Sequence, residues 1–290
     1  MQSLKINKKI LAEAIRKNIK MALEEDVGKI DLSAQLINPK STAIAYVKSK
    51  ESALISGIPW FNSTFRSIDP TIKIKWLIKE GQIVKKNQRL CELHGKARSI
   101  LSGERVALNF LQTLSATSTA THYYVKAISG SHAKIFDTRK TIPGLRIAQK
   151  YAVIIGGGNN QRIGLYDQIL IKENHIKSSN KMDDLLPLAL KYAKNKNIQI
   201  EVERLDQLKK AIELGFRNIL LDNFDIKALK KAILINNGRA LLEASGNITL
   251  KNVKKIALTG VDRISLGSLT KNIKAVDLSM KIETFKSLQA

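Results

Sequence analysis

Apolar residues at Ile6, Ile10, Leu11, Ala14, Ile15, Ile19 and Leu23 recur at three- and four-residue spacing. That spacing predicts an amphipathic helix over residues 4–25, with its basic residues on the other face. From 43 to about 95 the apolar residues bunch into shorter runs. Segments 43–47, 72–78 and 89–93 read as strands, broken by turns at Gly57-Ile58-Pro59, Asp69-Pro70 and Glu80-Gly81. The stretch 81–93 has the cast of a strand-turn-strand hammerhead, but no Met-Lys-Met is there to carry biotin or a lipoyl group, so it reads as structural. A long helix is predicted over 99–128, opening with Ser102-Gly103-Glu104-Arg105 and continuing through Ala107, Leu108, Leu111 and Leu114.

Beyond that helix the texture changes. Short apolar segments at 133–137, 168–172, 198–203, 218–222, 240–243 and 263–266 alternate with amphipathic stretches at 181–195, 205–214, 226–234 and 250–258. Strands alternating with helices imply parallel strands joined by crossovers, hence an α/β sheet or barrel. Each predicted strand ends in polar or charged residues, and in a β/α barrel the C-terminal strand ends converge on one mouth where chemistry occurs. The expected organisation is an N-terminal α+β sandwich domain at 1–114 and a β/α-barrel catalytic domain at 115–270. A tail at 271–290 is expected to pack back on the first domain.

Composition narrows the class. With 290 residues, 44% of them hydrophobic, the chain has ample material for a core, and its mean hydropathy of −0.13 excludes a disordered chain. The longest apolar runs, such as 151–155, fall far short of the ~20 residues that a membrane span needs. The N-terminus has no apolar signal region, and one cysteine, Cys91, cannot form an internal disulfide, so a cytoplasmic setting is expected. The charge is unusual: 49 Lys plus Arg against 25 Asp plus Glu give +24. A surface this basic attracts polyanions. The lysines are nevertheless spread from Lys5 to Lys286 amid a bias toward Ile, Lys and Asn, and aromatics at 5% are few for base stacking, so nucleic acid is not the expected partner.

The mouth suits an anionic substrate. It holds four cations, Arg139, Lys140, Arg162 and Lys172, two acids, Glu201 and Asp222, and two small-residue loops, Ser245-Gly246-Asn247 and Gly267-Ser268. Arginine pairs with carboxylate or phosphate in bidentate fashion, and glycine lets backbone N–H groups approach a phosphate at a helix start. Taken singly each feature has a plain reading: a solvated cation, a turn, or a helix cap at Asp222-Asn223. At successive strand ends the functional reading is the better one. None of His94, His122, His132 and His175 sits in a zinc motif, no GxSxG elbow is present, and Gly156-Gly157-Gly158 fits neither a P-loop nor a dinucleotide fingerprint.

Several of these segments are recognisable together. DTRKTIPG at 137–144, QKYAV at 149–153, GGGNNQRIGLYD at 156–167 and LIKENH at 170–175 resemble the quinolinate phosphoribosyltransferases. Further matches are EEDVGKID at 24–31, LSGERVALNF at 101–110, EVE at 201–203, LLDNF at 220–224, EASGNI at 243–248 and SLGSLT at 265–270, in order along nearly the whole chain. The resemblance implies an incomplete or seven-stranded barrel of the type II phosphoribosyltransferase kind. It also implies a Mg²⁺-dependent enzyme making nicotinate mononucleotide from quinolinate and phosphoribosyl pyrophosphate, in NAD biosynthesis.

By the same resemblance Arg139, Arg162 and Lys172 clamp the quinolinate carboxylates with Thr138 beside them, and Lys140 lies between quinolinate and pyrophosphate. Glu201 and Asp222 meet the ribose and Mg²⁺, directly or through water or substrate. Ser245, Gly246 and Asn247 with Leu266, Gly267 and Ser268 surround a phosphate. Arg105 serves a neighbouring subunit's site, which makes the protein at least a homodimer.

Two positions depart from the family pattern. Gln161 stands where GGGxNHR has a histidine facing quinolinate; it can donate an N–H but cannot become cationic. Ala116 replaces a glycine after the long helix. Gln161 motivates an alternative, a related phosphoribosyltransferase for another pyridine or acid. The charge of +24 motivates another, a polyanion-binding protein that has lost catalysis.

Overall fold

The computed structural model describes residues 6–179, 182–193 and 197–286. In chain order its first elements are α1 (Lys8–Asp26), β1 (Thr42–Ser49), β2 (Ala53–Leu54), α2 (Ile58–Ile68), β3 (Lys73–Trp76), β4 (Ile83–Val84), β5 (Arg89–Lys96) and α3 (Ala97–Ala127). Next come β6 (Lys134–Phe136), α4 (Arg146–Ile155), β7 (Ile169–Ile171), α5 (Glu173–Ser179), α6 (Leu185–Ala193), β8 (Ile198–Val202) and α7 (Leu205–Glu213). The last are β9 (Asn218–Asp222), α8 (Ile226–Asn236), β10 (Leu241–Ser245), α9 (Val253–Ala257), β11 (Arg263–Ser265), α10 (Ser268–Lys271) and β12 (Leu278–Lys286). The ends of the helices predicted at 4–25 and 181–195 lie partly outside the described residues. Among the described residues no helix is long and apolar enough to cross a membrane.

The chain divides into two compact units. One gathers Ile6–Ala120, Ile142–Gly157 and the tail from Asn272 around an antiparallel sheet of order β12-β1-β5-β3. Alternation along β1 buries Ala43, Ala45 and Val47 against Phe61, Phe65, Leu93, Leu108 and Leu111. The tail belongs here because β12 pairs with β1 along its length, from Thr42 opposite Lys286 to Ser49 opposite Leu278. Segment 142–157 belongs here because Ala148 and Ala152 of α4 pack with Trp60, Phe110 and Leu114. The stretch 81–93 does not fold as a hairpin: β4 pairs with β2, and β5 pairs with β1 and β3.

The sequence reads Gly57-Ile58-Pro59 as a break, and the structure starts α2 there. Proline fits the first turn of a helix, where its missing N–H has no intrahelical partner to lose. Glu80 reaches over from another segment to accept from the N–H groups of Gly57 at 2.7 Å and Ile58 at 3.0 Å, which caps the helix. Burial pushes the Glu80 carboxyl up, against those donors. Ala116, expected as a glycine by resemblance, packs in this core at 7% exposure, so its methyl is accommodated.

The other unit, Thr121–Thr141 with Gly158–Lys271, holds the predicted parallel sheet. Its order is β6-β11-β10-β9-β8-β7, every pairing parallel. A single parallel bridge from Phe136 to Asn159 continues the sheet past β6. Six strands and one bridge make the incomplete barrel that the family resemblance implies. Strand side chains alternate faces, and here Ile200, Ile219, Leu221, Leu242, Ala244 and Ile264 fill one face. The other face holds Gln199, Glu201, Asp222, Glu243, Ser245, Arg263 and Ser265.

Gly103 of α3 tests the packing of the antiparallel unit. A methyl there would lie 2.6 Å from the Phe65 ring of α2. Gly103→Ala is expected to destabilise the protein by about 2 kcal/mol through overpacking, despite the better helix propensity of alanine. Denaturant titration checks this: an unchanged or raised midpoint would show that the two helices have room to part.

Candidate active site

The geometry starts at Asp137, the residue after β6, which is fully buried. It accepts from the Asn160 side-chain amide at 2.7 Å and from the Gln161 backbone N–H at 2.8 Å. Two segments are thereby joined: Thr138-Arg139-Lys140 leaving β6, and the run through Gln161 and Arg162. Within the first, Thr138 Oγ1 accepts from Lys140 N at 3.0 Å, and Thr270 Oγ1 donates to the Lys140 carbonyl at 2.6 Å.

Arg162 is 8% exposed and donates from Nη1 to the Gln168 carbonyl at 3.2 Å. Burial and the Arg139 guanidinium beside it push its pKa down, while Asp167 and Glu201 hold it up. A guanidinium keeps its proton regardless, so two cations are held next to each other. Lys172, the residue after β7, pairs with Glu201 of β8 at 2.9 Å. Arg139, Arg162, Lys172 and Glu201 therefore form one cluster.

Deeper on the same face lies Glu243 of β10, at 1% exposure. Its carboxylate accepts from Gln161 Nε2 at 2.5 Å on both oxygens and from Gln199 Nε2 at 3.1 Å. Burial raises its pKa, opposed first by the Ser265 side chain and then by Gln199, Arg263 and Gln161. The donor nitrogen of Gln161 is thus turned to Glu243.

The loops after β9, β10 and β11 complete the mouth. Asn223 and Asn247 adopt left-handed conformations, φ 56° and 50°, on either side of Gly246 at φ 93°. Asn223 N donates to the Ser245 carbonyl at 2.9 Å, and its side chain donates to Asp222 at 3.0 Å. A Cβ on Gly246 would stand 2.0 Å from Asn223 Oδ1, so the two loops touch through the missing side chain. Gly267 is crossed by the Lys140 stem, whose Cδ would lie 2.7 Å from a Cβ there. Leu266 is buried and holds the loop by donating its N–H to the Phe136 carbonyl at 3.0 Å, and α10 begins at Ser268.

Thus Thr138, Arg139, Lys140, Gln161, Arg162, Lys172, Glu201, Asp222 and the two loops all belong to the parallel unit. Arg105 belongs to the other, exposed on α3. Sequence reasoning named Asp137 and Glu243 only as parts of motifs and passed over Gln199. A pointer existed: Gln199, Glu201, Glu243 and Arg263 all fall at alternate positions of otherwise apolar strands, where period-2 reading puts them on one face.

Among the described residues no group of three or more His, Cys, Asp or Glu stands together to hold a metal. The donor set here is two carboxylates, Glu201 and Asp222, on the neighbouring strands β8 and β9. Mg²⁺ is commonly held by one or two carboxylates plus substrate phosphates. The residues fit an ion that arrives with a phosphorylated substrate, not a cage made by protein alone.

Parallel strands, adjacent guanidiniums and glycine-lined loops at the strand ends define a β/α enzyme for substrates with several anionic groups. Two family models match the chain in tandem, the N-terminal domain of quinolinate phosphoribosyl transferase over residues 31–115 and its C-terminal domain over 117–281. The chain belongs to the quinolinate phosphoribosyltransferase family. It is 38% identical to the chloroplastic nicotinate-nucleotide pyrophosphorylase (carboxylating) of Arabidopsis thaliana, over 93% of this chain and 83% of that one. It is also 38% identical to a probable nicotinate-nucleotide pyrophosphorylase (carboxylating) of Bacillus subtilis, over 89% of this chain and 90% of the relative. The solved nicotinate-nucleotide pyrophosphorylase of Francisella tularensis superposes with a TM-score of 0.90 at 43% identity, over 93% of this chain and 96% of that one.

The Gly246 contact gives a direct test. Gly246→Ala forces a side chain into a left-handed conformation and into Asn223, and is expected to cost about 2–3 kcal/mol of stability. Thermal unfolding reads it: an unshifted transition would mean that the two loops are not in contact.

Proposed function

We propose that this chain transfers the phosphoribosyl group of phosphoribosyl pyrophosphate to quinolinate, with decarboxylation, giving nicotinate mononucleotide, pyrophosphate and CO₂ in NAD biosynthesis. The observation that carries the reading is the Arg139–Arg162–Lys172 cluster around Glu201 at the strand ends, in a chain matched along most of its length to that family.

The chemistry follows from charge. Quinolinate brings two carboxylates to a ring nitrogen that must reach the anomeric carbon. Two adjacent guanidiniums and an ammonium can take both carboxylates and fix the ring's direction of approach. Lys172 exchanges Glu201 for the acid as the substrate enters, leaving Glu201 to face the ribose as positive charge develops there. Asp222, from the next strand, faces the same atoms. Lys140 lies along Gly267 with its ammonium exposed, where it can meet the departing pyrophosphate. The backbone N–H groups of Gly246, Asn247, Gly267 and Ser268 receive the 5′-phosphate, while that of Leu266 stays on Phe136.

Glu201 and Asp222 would hold a Mg²⁺ ion that arrives with the phosphates, and such an ion would supply charge to offset the leaving pyrophosphate. Once the ring nitrogen bears the ribose it is cationic. The neighbouring carboxylate then departs as CO₂, leaving its electron pair on the adjacent carbon, where a proton is taken up. Arg105, exposed on α3, is assigned by resemblance to a neighbouring subunit's site, so the working form is at least a homodimer. A cytoplasmic setting fits a chain with one buried thiol.

Purified protein with Mg²⁺, phosphoribosyl pyrophosphate and quinolinate is expected to release pyrophosphate, CO₂ and nicotinate mononucleotide, and to leave nicotinate unused. No product from quinolinate at saturation would overturn the assignment. Arg139→Ala is expected to raise KM for quinolinate about 100-fold through loss of a bidentate pair, with a smaller change in KM for the second substrate. Equal changes in both would place Arg139 elsewhere than on the acid.

A further inference from the structure

The reaction as proposed leaves one buried carboxylate without a task. Glu243 lies in the middle of β10 at 1% exposure, and carboxylates are kept at such depth only with partners. Arg263, opposite it on β11, answers its charge. Gln199 of β8 answers one oxygen at 3.1 Å. The contact with Gln161 is of another kind, because Gln161 lies on no strand. The segment that carries it joins the sheet's ladder at the bridge from Asn159 to Phe136.

That segment is nevertheless held twice. Asp137 takes the Gln161 backbone N–H at 2.8 Å, and Glu243 takes its side-chain nitrogen at 2.5 Å on both oxygens. Two buried carboxylates, one just past β6 and one on β10, thus fix one residue at its backbone and at its tip. The next residue is Arg162, whose guanidinium stands beside Arg139. A residue pinned at both ends leaves its neighbour little freedom to move.

We propose that Glu243 is a positioning residue for the acid-binding cations: by holding the Gln161 amide nitrogen it sets where the Arg162 guanidinium stands, with Gln161 as the strut between them and not an anchor for the substrate carboxylate. The inference rests on the function proposed above only in so far as Arg162 binds the acid. A merely structural Glu243 would lower stability when changed and leave the arginine in place.

Two variants separate these cases. Glu243→Gln keeps the shape and one acceptor, and Gln161→Leu keeps the bulk and removes the amide. Each is expected to raise KM for quinolinate about tenfold and to leave KM for phosphoribosyl pyrophosphate within about twofold. The double variant is expected to be no worse than the poorer single, because the two act as one unit. Crystal structures of both variants are expected to show the Arg162 guanidinium displaced by about 1 Å or more. An unmoved guanidinium, or losses that multiply in the double variant, would overturn the proposal. Gln161→Leu carries the test alone if Glu243→Gln does not fold. A wild type that ignores quinolinate would sink the assigned reaction, and the position of Arg162 in the variants would still decide the role of Glu243.

Discussion

A carboxylate removed from water has to be met by donors, and Asp137 determines which segments supply them. The Asn160 amide and the Gln161 N–H both turn to it. An unanswered charge at that depth costs several kcal/mol, so the segment after Gly158 is drawn to the end of β6. The residues that follow Asp137 carry Arg139 and Lys140, and the residue after Gln161 is Arg162. One side chain therefore brings together two stretches of cations that would otherwise repel. The helix-covered face of the sheet does ordinary hydrophobic work; the polar face is organised around carboxylates that cannot be left alone.

Much of this was legible in the chain. Short apolar runs closed by polar residues gave the six parallel strands nearly to the residue, because a strand facing helices on one side and a polar mouth at its end has little choice of composition. Arg139, Lys172 and Glu201 stood out for the same reason, and Arg162 through the glycine-rich motif that carries it. Three features did not. Helix α2 hid behind Pro59, whose place in a first turn shows only when the helix is seen. Helix α4 hid in an apolar run followed by three glycines, and its place with Trp60 depends on contacts far apart in sequence. The pairing of Gln161 with Glu243 required the register that puts alternate residues on one face, which no single segment discloses.

Net charge proved a weak guide. Several exposed lysines pair with nearby acids, Lys17 with Glu13 and Lys50 with Asp277 among them, and such surface pairs contribute little. A few cations are instead held in place by burial or by a carboxylate, Arg162 and Lys172 among them. Lys172 and Glu201 illustrate the difference, since the Glu201 side chain is 15% exposed and the pair sits among other charges. Preorganised charge of this kind acts on a substrate far more strongly than the same number of mobile lysines.

The pairing of β12 with β1 sets the order in which the protein can be completed on the ribosome. Thr42 meets Lys286 across the ladder, and the whole parallel unit is synthesised between them. At roughly 5–20 residues per second, β1 waits tens of seconds with an unpaired edge. Edges of that kind invite association with other chains. The parallel unit, by contrast, has all its strands once β11 has emerged. Chains released early, short of residues 278–286, would carry a finished mouth on an unfinished neighbour, and the nascent antiparallel sheet is the part that a holding chaperone would have to shield.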